Sequence, residues 1–178
     1  MKKILLTLIT IFFIGCSSKV SAIFHKDDRY ITLSEYTQRG QLIKSFDTIA
    51  LINATYLNPI LKDTNKTQNN EIFIIGIYNS DDYKGYKKGG IHNPHYILTM
   101  NDMNYTKAIK ADIKKLDLTN YPFYNKWMKY YKVYFPKTNS NKLTIVYKNI
   151  EENATTSLTI IKDLYKIKDD DNTTNNQF

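Results

Sequence analysis

The sequence predicts an all-β protein in which two antiparallel sheets pack as a sandwich. Three observations support this prediction: short runs of β-branched and aromatic residues, alternation of apolar and polar side chains with a period of two, and turn-forming Asn, Asp, Gly and Pro between the runs. Alternating strands and helices, which a βαβ fold requires, are not apparent. We therefore expect about seven or eight short strands between residues 31 and 165.

Each predicted strand is a short apolar or alternating run. The segments are Gln41 to Phe46, Thr48 to Leu57, Glu71 to Tyr78, Tyr96 to Met100, Lys107 to Ile113, Trp127 to Phe135, Lys142 to Lys148 and Thr156 to Lys162. The second and third are apolar on both faces, which is typical of central strands that are covered on two sides. The seventh alternates cleanly, with Leu143, Ile145 and Tyr147 on one face, as a half-exposed strand does.

The segment from Thr106 to Leu118 has a helical alternative, because several of its residues tolerate helix. Ile109, Ala111 and Ile113 alternate with polar residues there, and this period of two favours a strand.

The chain begins with a pattern typical of an export signal. Two lysines are followed by an apolar run from Ile4 to Ile14 that is too short to span a bilayer as a permanent helix. The sequence Phe13-Ile14-Gly15-Cys16 resembles the lipobox of bacterial lipoproteins, although Phe13 stands where Leu is commoner. The resemblance implies that residues 1–15 are removed and that Cys16 carries diacylglycerol and an amide-linked fatty acid such as palmitate.

An ordinary secretory signal is the alternative, with cleavage near Ser21 and Ala22 and an incidental Cys16. Cys16 is the only cysteine of the 178 residues and lies where the lipobox requires it, which favours lipidation. The predicted partner of Cys16 is thus the lipid bilayer, and a disulfide within the mature chain is excluded. Residues 16–30 are expected to form a tether. Ser17 resembles a signal for sorting to the outer membrane.

Composition limits the partners of the mature chain. The formal charge of +8 falls to +6 without Lys2 and Lys3, which is compatible with lipid headgroups or acidic glycans. We expect no nucleic-acid partner, because export and the lack of a basic recognition helix both argue against one. Residues 166–178 are expected to form a disordered tail, because the stretch from Asp169 to Gln177 is entirely polar.

Four sequence segments resemble small bacterial lipoproteins with an immunoglobulin-like sandwich. With the lipobox, they are IALINATYLNP, WMKYYKVYFPK, KLTIVYKN and SLTIIKD. The resemblance covers most of Gln41 to Lys162 and implies an immunoglobulin-like fold with a buried Trp127 and a place in the cell envelope. It implies no catalytic motif, and the paired cysteines of antibody domains are absent.

Five Asn-x-Thr triplets are candidate glycosylation sites. Four of them, at Asn65, Asn104, Asn153 and Asn172, have an acid two residues earlier, and Asn53 does not. This spacing resembles the extended acceptor of bacterial periplasmic oligosaccharyltransferases. The four lie in predicted turns or the tail, whereas Asn53 lies in a predicted central strand. Co-occurrence of Asp, Asn and Thr in turns is the alternative explanation.

The segment from Asn79 to Pro94 is a long predicted loop, and such loops on a rigid scaffold often bind ligands. Asp81, Asp82, His92 and His95 are weak metal-ligand candidates. Their spacing matches no zinc motif, so we expect a solvated loop, no metal and no cofactor.

Aromatic residues alternate with lysines in a third cluster. On the strand predicted there, Trp127, Tyr131, Val133 and Phe135 share one face, which we expect to be core. The other face, which carries Met128, Tyr130, Lys132 and Tyr134, is the predicted surface for a sugar or protein partner.

No nucleophile motif is apparent in the chain. We therefore expect a non-enzymatic binding or assembly module of the envelope, with a protein or glycan partner. The alternatives are a metal-dependent hydrolase that uses His92 and His95, and a subunit of a larger envelope complex.

Overall fold

The structure is a computed structural model that describes residues 28–61, 65–82, 89–112 and 121–163. The predicted signal peptide, Cys16, most of the predicted tether and the predicted tail at 166–178 lie outside these residues, as does Asn172.

Nine strands and two helices make up the described part of the chain. They are α1 (Asp28–Glu35), β1 (Thr37–Lys44), β2 (Asp47–Tyr56), α2 (Asn65–Asn69), β3 (Asn70–Asn79), β4 (Tyr96–Met100), β5 (Met103–Asn104), β6 (Lys107–Lys110), β7 (Lys129–Pro136), β8 (Lys142–Asn149) and β9 (Ala154–Ile161). A short 3-10 turn, Gly90–His92, precedes β4.

The strands form two antiparallel sheets. The order is β1-β2-β3-β7-β6 in the first sheet and β5-β4-β8-β9 in the second. With β1 set aside, these orders correspond to strands A-B-E-D and C′-C-F-G of an immunoglobulin-like sandwich. The predicted all-β sandwich is therefore confirmed, with β1 as an additional strand beside strand A.

Strand β1 also closes one side of the sandwich, because it lies against β9 of the other sheet. A Cβ at Gly40 would lie 2.6 Å from Thr156 Oγ1 and 2.8 Å from Leu158 Cδ2. Glycine is thus the residue that permits this approach.

All eight predicted strands are present, with ends that differ by a few residues. Strand β6 confirms the strand prediction at its start, while residues 113–120 lie outside the description. The two-residue strand β5 was too short to leave a pattern. Helix α1 begins at Asp28, among the last residues of the predicted tether, and continues to Glu35. It forms because Leu33 packs against Leu57 and the outer face of β3.

Strands β2 and β3 are covered on both faces, as predicted. Their inner side chains, such as Ile52 and Ile75, join the core between the sheets. Their outer side chains, such as Ile72 and Ile74, pack under α1 and the segment 121–128. Full burial of an isoleucine contributes about 1.5–3 kcal/mol, so both layers stabilise the first sheet.

Several tyrosines are buried between the sheets. The Tyr147 hydroxyl donates to Asn79 Oδ1 at 2.8 Å, and the Tyr96 ring stacks on Tyr147 with centroids 5.2 Å apart. Burial raises the pKa of Tyr96 to about 12 and raises the pKa of Tyr147 further. Burial and the hydrogen bond to Glu71 both raise the pKa of Tyr56.

These raised pKa values predict a loss of stability in alkali. The neutral phenols are favoured in the folded state, so their contribution is complete below the unfolded pKa of about 10 and declines as the pH rises beyond it. In urea titrations between pH 9 and about 12, we expect the unfolding midpoint to fall steeply. Tyr147→Phe should flatten this decline, although it costs about 1 kcal/mol at neutral pH through its lost hydrogen bond. The exposed Tyr78→Phe is the control, and equal slopes in the two variants would contradict the prediction.

Candidate functional site

A cleft of about 1110 Å³ lies on the outer face of the first sheet. One wall is formed by β1, through residues from Thr37 to Gln41, and by Leu51 and Asn53 of the neighbouring strand β2. The segment 123–128 forms the other wall. The added strand β1 and the connection that precedes β7 therefore build the cleft together.

Hydrogen bonds hold the 121–128 segment in place. Asn53 Nδ2 donates to the Phe123 carbonyl at 3.0 Å, and the Asn125 amide donates to the Tyr130 hydroxyl at 2.7 Å. The Tyr124 ring stacks on Tyr130 with centroids 5.5 Å apart. Phe123 has a positive φ of 61°, which turns the chain at this point. These contacts hold the wall in one arrangement, and a wall held in this way would lower the entropic cost of binding a ligand.

Two aromatic side chains at the cleft are open to solvent. Trp127 is 69% exposed and Phe123 is 43% exposed. The Arg39 guanidinium lies 3.9 Å from the centroid of the Phe123 ring, and Lys126 Nζ lies 5.1 Å from that of Trp127. Each ring is thus paired with a cation, an arrangement worth roughly 0.5–1 kcal/mol at exposed sites.

The exposure of Trp127 corrects the prediction that it is buried in the core. Strand β7 begins at Lys129, so Trp127 belongs to the preceding turn and the alternation of the strand does not extend to it. Tyr131, Val133 and Phe135, which were predicted on the same inner face, are fully buried there.

Tyr130 was predicted to belong to an exposed binding face of β7, but its side chain is buried and only 6% exposed. The 121–128 segment covers it, and Gly76 on β3 leaves room for its ring, since a Cβ there would lie 2.6 Å from Tyr130 Cε1. Lys132 and Tyr134 remain half-buried, with Lys132 Nζ 5.8 Å from the Tyr134 ring centroid.

The polar groups of the cleft are cations and amides. Arg39 and Lys126 supply positive charge, and Gln38, Gln41 and Asn125 supply amides. Among the residues that line it within the described part of the chain, none is Asp, Glu, His or Cys. Sequence reasoning included Phe123 in the aromatic cluster but missed Arg39, although Arg39 is one of only two arginines in a lysine-rich chain.

The predicted metal candidates make bonds within the protein. His95 Nδ1 lies 2.9 Å from Asp81 Oδ2, and its Nε2 lies 3.4 Å from Glu151 Oε1. Asp82 Oδ2 accepts from the Gly90 amide at 2.6 Å and from Lys129 Nζ at 2.9 Å.

These contacts tie the ends of the 79–95 connection to the sheets, while His92 is exposed. In the ranges that the structure describes, no cluster of three or more His, Cys, Asp or Glu is arranged to hold a metal.

The predicted glycosylation sites differ in their surroundings. Asn104 in β5 and Asn153 after β8 are exposed, whereas Asn53 in β2 is 7% exposed. Asn65 is the first residue of α2, and its side chain is outside the description.

Comparisons of the chain with protein-family models, with curated proteins and with solved structures found no match. Of the helices within the described ranges, none has the length and apolar character to cross a membrane.

Proposed function

We propose that the protein is a lipid-anchored binding module of the bacterial cell envelope, without catalytic activity, and that its cleft binds an acidic glycan. The observation that carries this proposal is a fixed cleft in which exposed aromatic rings, cations and amides meet without a carboxylate.

The lining chemistry suits a sugar that carries a carboxylate. Trp127 and Phe123 offer flat apolar surfaces for the C–H faces of a sugar ring. The nearby amides donate to and accept from hydroxyl groups. Arg39 stacks one face of its guanidinium on Phe123, which leaves the planar N–H edge for a carboxylate.

The same lining favours binding over cleavage. Glycoside hydrolysis generally uses two carboxyl groups, one of which acts as an acid. The described wall residues supply no group with that chemistry. The alternative hydrolase on His92 and His95 is less well supported, because His95 Nδ1 is bonded to Asp81 and the described residues contain no metal-holding cluster.

For the anchor, we propose lipidation of Cys16 and a location at the outer membrane. Cys16 precedes α1 by twelve positions, and α1 packs on the same outer face of the first sheet that carries the cleft.

Tryptophan fluorescence tests the cleft directly, since Trp127 is the only tryptophan of the chain. Titration of the full chain in detergent with alginate oligosaccharides should change this emission, and neutral dextran oligosaccharides should not. Arg39→Ala should weaken alginate binding about 10-fold or more, because a hydrogen bond to a charged group contributes about 1.5–3 kcal/mol.

The affinity of Arg39→Lys for alginate should lie between those of the wild-type protein and Arg39→Ala, since lysine keeps the charge and loses the planar contact. Phe46→Ala removes an exposed aromatic outside the cleft and is the matched control. The proposal fails if alginate leaves the emission unchanged, or if Arg39→Ala binds as tightly as Phe46→Ala.

A further inference from the structure

The connection between β8 and β9 presents one predicted acceptor asparagine at a hairpin tip. Its sequence is Glu151-Glu152-Asn153-Ala154-Thr155, with an acid two residues before Asn153 and a threonine two residues after it. Asn153 is exposed and has a φ of 48°, a left-handed conformation that asparagine tolerates better than most residues. Glu151 and Thr155 are exposed as well.

Hydrogen bonds to Asn149 and to the His95 carbonyl hold the turn, and Asn153 takes no part in them. Buried Asn149 accepts hydrogen bonds from the amides of Glu151 at 3.0 Å and Glu152 at 2.8 Å through its Oδ1. The Ile150 amide donates to the His95 carbonyl at 2.9 Å. Strand pairing resumes only at Ala154, opposite Asn149. The base of the tip is therefore fixed, and Asn153 lies in the turn directly before Ala154 and Thr155 enter β9 opposite Asn149 and Lys148.

Two other asparagines of Asn-x-Thr triplets are placed less favourably, one with the acid two residues earlier and one without it. Asn104 is exposed, but it pairs with Thr99, and Thr106 of its triplet is bound to the Tyr134 carbonyl through both its amide, at 2.8 Å, and its hydroxyl, at 3.1 Å. Asn53 is buried, and its amide group already donates to Phe123. An enzyme that must enclose the Asn104 or Asn53 triplet would have to break these contacts. At the tip, the side chains of Asn153 and Thr155 are exposed, and the 3.4 Å contact of Glu151 with His95 Nε2 lies at the surface.

We infer that Asn153 is an acceptor for an N-linked glycan, transferred by an oligosaccharyltransferase that requires an acid two residues before the asparagine. Asn153 Nδ2 forms a bond to C1 of the first sugar of a polyprenyl-diphosphate-linked oligosaccharide. The C1–oxygen bond breaks, the polyprenyl diphosphate leaves with the bonding electrons, and the amide gives up one proton. This site is independent of the proposed cleft, which the 123–128 wall and β1 form.

The test is export of the full chain in a bacterial host that expresses such a transferase and its lipid-linked donor. Mass spectrometry of the purified protein should find the glycan on Asn153, at higher occupancy than on Asn104, and should find Asn53 bare. Asn153→Asp removes the nucleophilic amide, keeps a residue that tolerates a positive φ, and should abolish the modification.

The adjacent acids provide a matched pair of variants. Glu151→Gln removes the acid at the required spacing and should lower occupancy at Asn153 at least 10-fold. Glu152→Gln removes an acid one residue away and should leave occupancy unchanged. The inference is overturned if Asn153 stays bare while a reporter protein in the same cells is modified, or if the two glutamate variants behave alike.

Discussion

Replacing Glu71 by Ala is expected to lower the free energy of unfolding by about 3–5 kcal/mol, the usual cost of removing one partner of a buried ion pair. Glu71 is the second residue of β3, and it is fully buried. Its Oε1 lies 2.6 Å from Lys162 Nζ, and Lys162 is itself largely buried. Without Glu71, that ammonium would keep its hydrogen bond to the Thr138 carbonyl but lose its counter-charge.

Neutral donors share the same carboxylate. The Tyr56 hydroxyl donates to Oε2 at 2.7 Å, and the Thr138 amide donates to Oε1 at 3.2 Å. These contacts join β2, β3, the β7–β8 connection and the end of β9 at one point of the sandwich. A buried donor that loses its acceptor costs about 1–3 kcal/mol, and this cost is part of the expected loss of about 3–5 kcal/mol.

Urea unfolding followed by circular dichroism measures this effect as a shift of the midpoint at constant slope. Glu71→Gln should lose less than Glu71→Ala, because its amide oxygen still accepts while the charge is absent. Glu152→Ala is the matched control, since its pair with Lys44 is at the surface and should cost less than about 1 kcal/mol. Equal midpoints for Glu71→Ala and Glu152→Ala would show that the buried carboxylate does not stabilise the fold.

Replacing Cys16 by Ala is expected to abolish lipid attachment completely. Each buried methylene contributes about 0.8 kcal/mol, so two or three acyl chains hold a protein stably at a bilayer, while the loss of all of them leaves no such anchor. Cells grown with labelled palmitate should label the wild-type protein and not the variant. The wild-type protein should sediment with membranes after high-salt washing.

The uncleaved signal of a Cys16→Ala variant is itself apolar, so a second variant separates the two effects. In it, residues 1–16 are replaced by a cleavable secretory signal without cysteine, and the product should be found in the soluble periplasmic fraction. Palmitate in the Cys16→Ala protein, or a wild-type protein without acyl chains by mass spectrometry, would refute the anchor.

The strands could be predicted because their signal is local. In β8, the alternation of Leu143, Ile145 and Tyr147 with polar residues records which side faces the core. Burial of β2 and β3 on both faces was readable for the same reason. The short β5 and the start of β7 at Lys129 were not, since neither changes the local pattern.

The cleft depends on contacts between residues far apart in the chain. Asn53 and Phe123 are separated by 70 residues, and their hydrogen bond brings the 121–128 segment over the first sheet. That cover buries Tyr130 and leaves Trp127 outside, the reverse of what alternation alone predicts. Local pattern reasoning has no access to such a contact, so the aromatic cluster was recognised while its open side was misassigned.

The position of β1 separates the lining of the cleft from the framework of the domain. The other eight strands complete the immunoglobulin-like arrangement without it, yet β1 contributes Arg39 and its neighbours to the cleft. Exposed side chains of this border strand can therefore be exchanged with little disturbance of the interior. Related domains with a different border strand would keep the same scaffold and present a differently lined cleft.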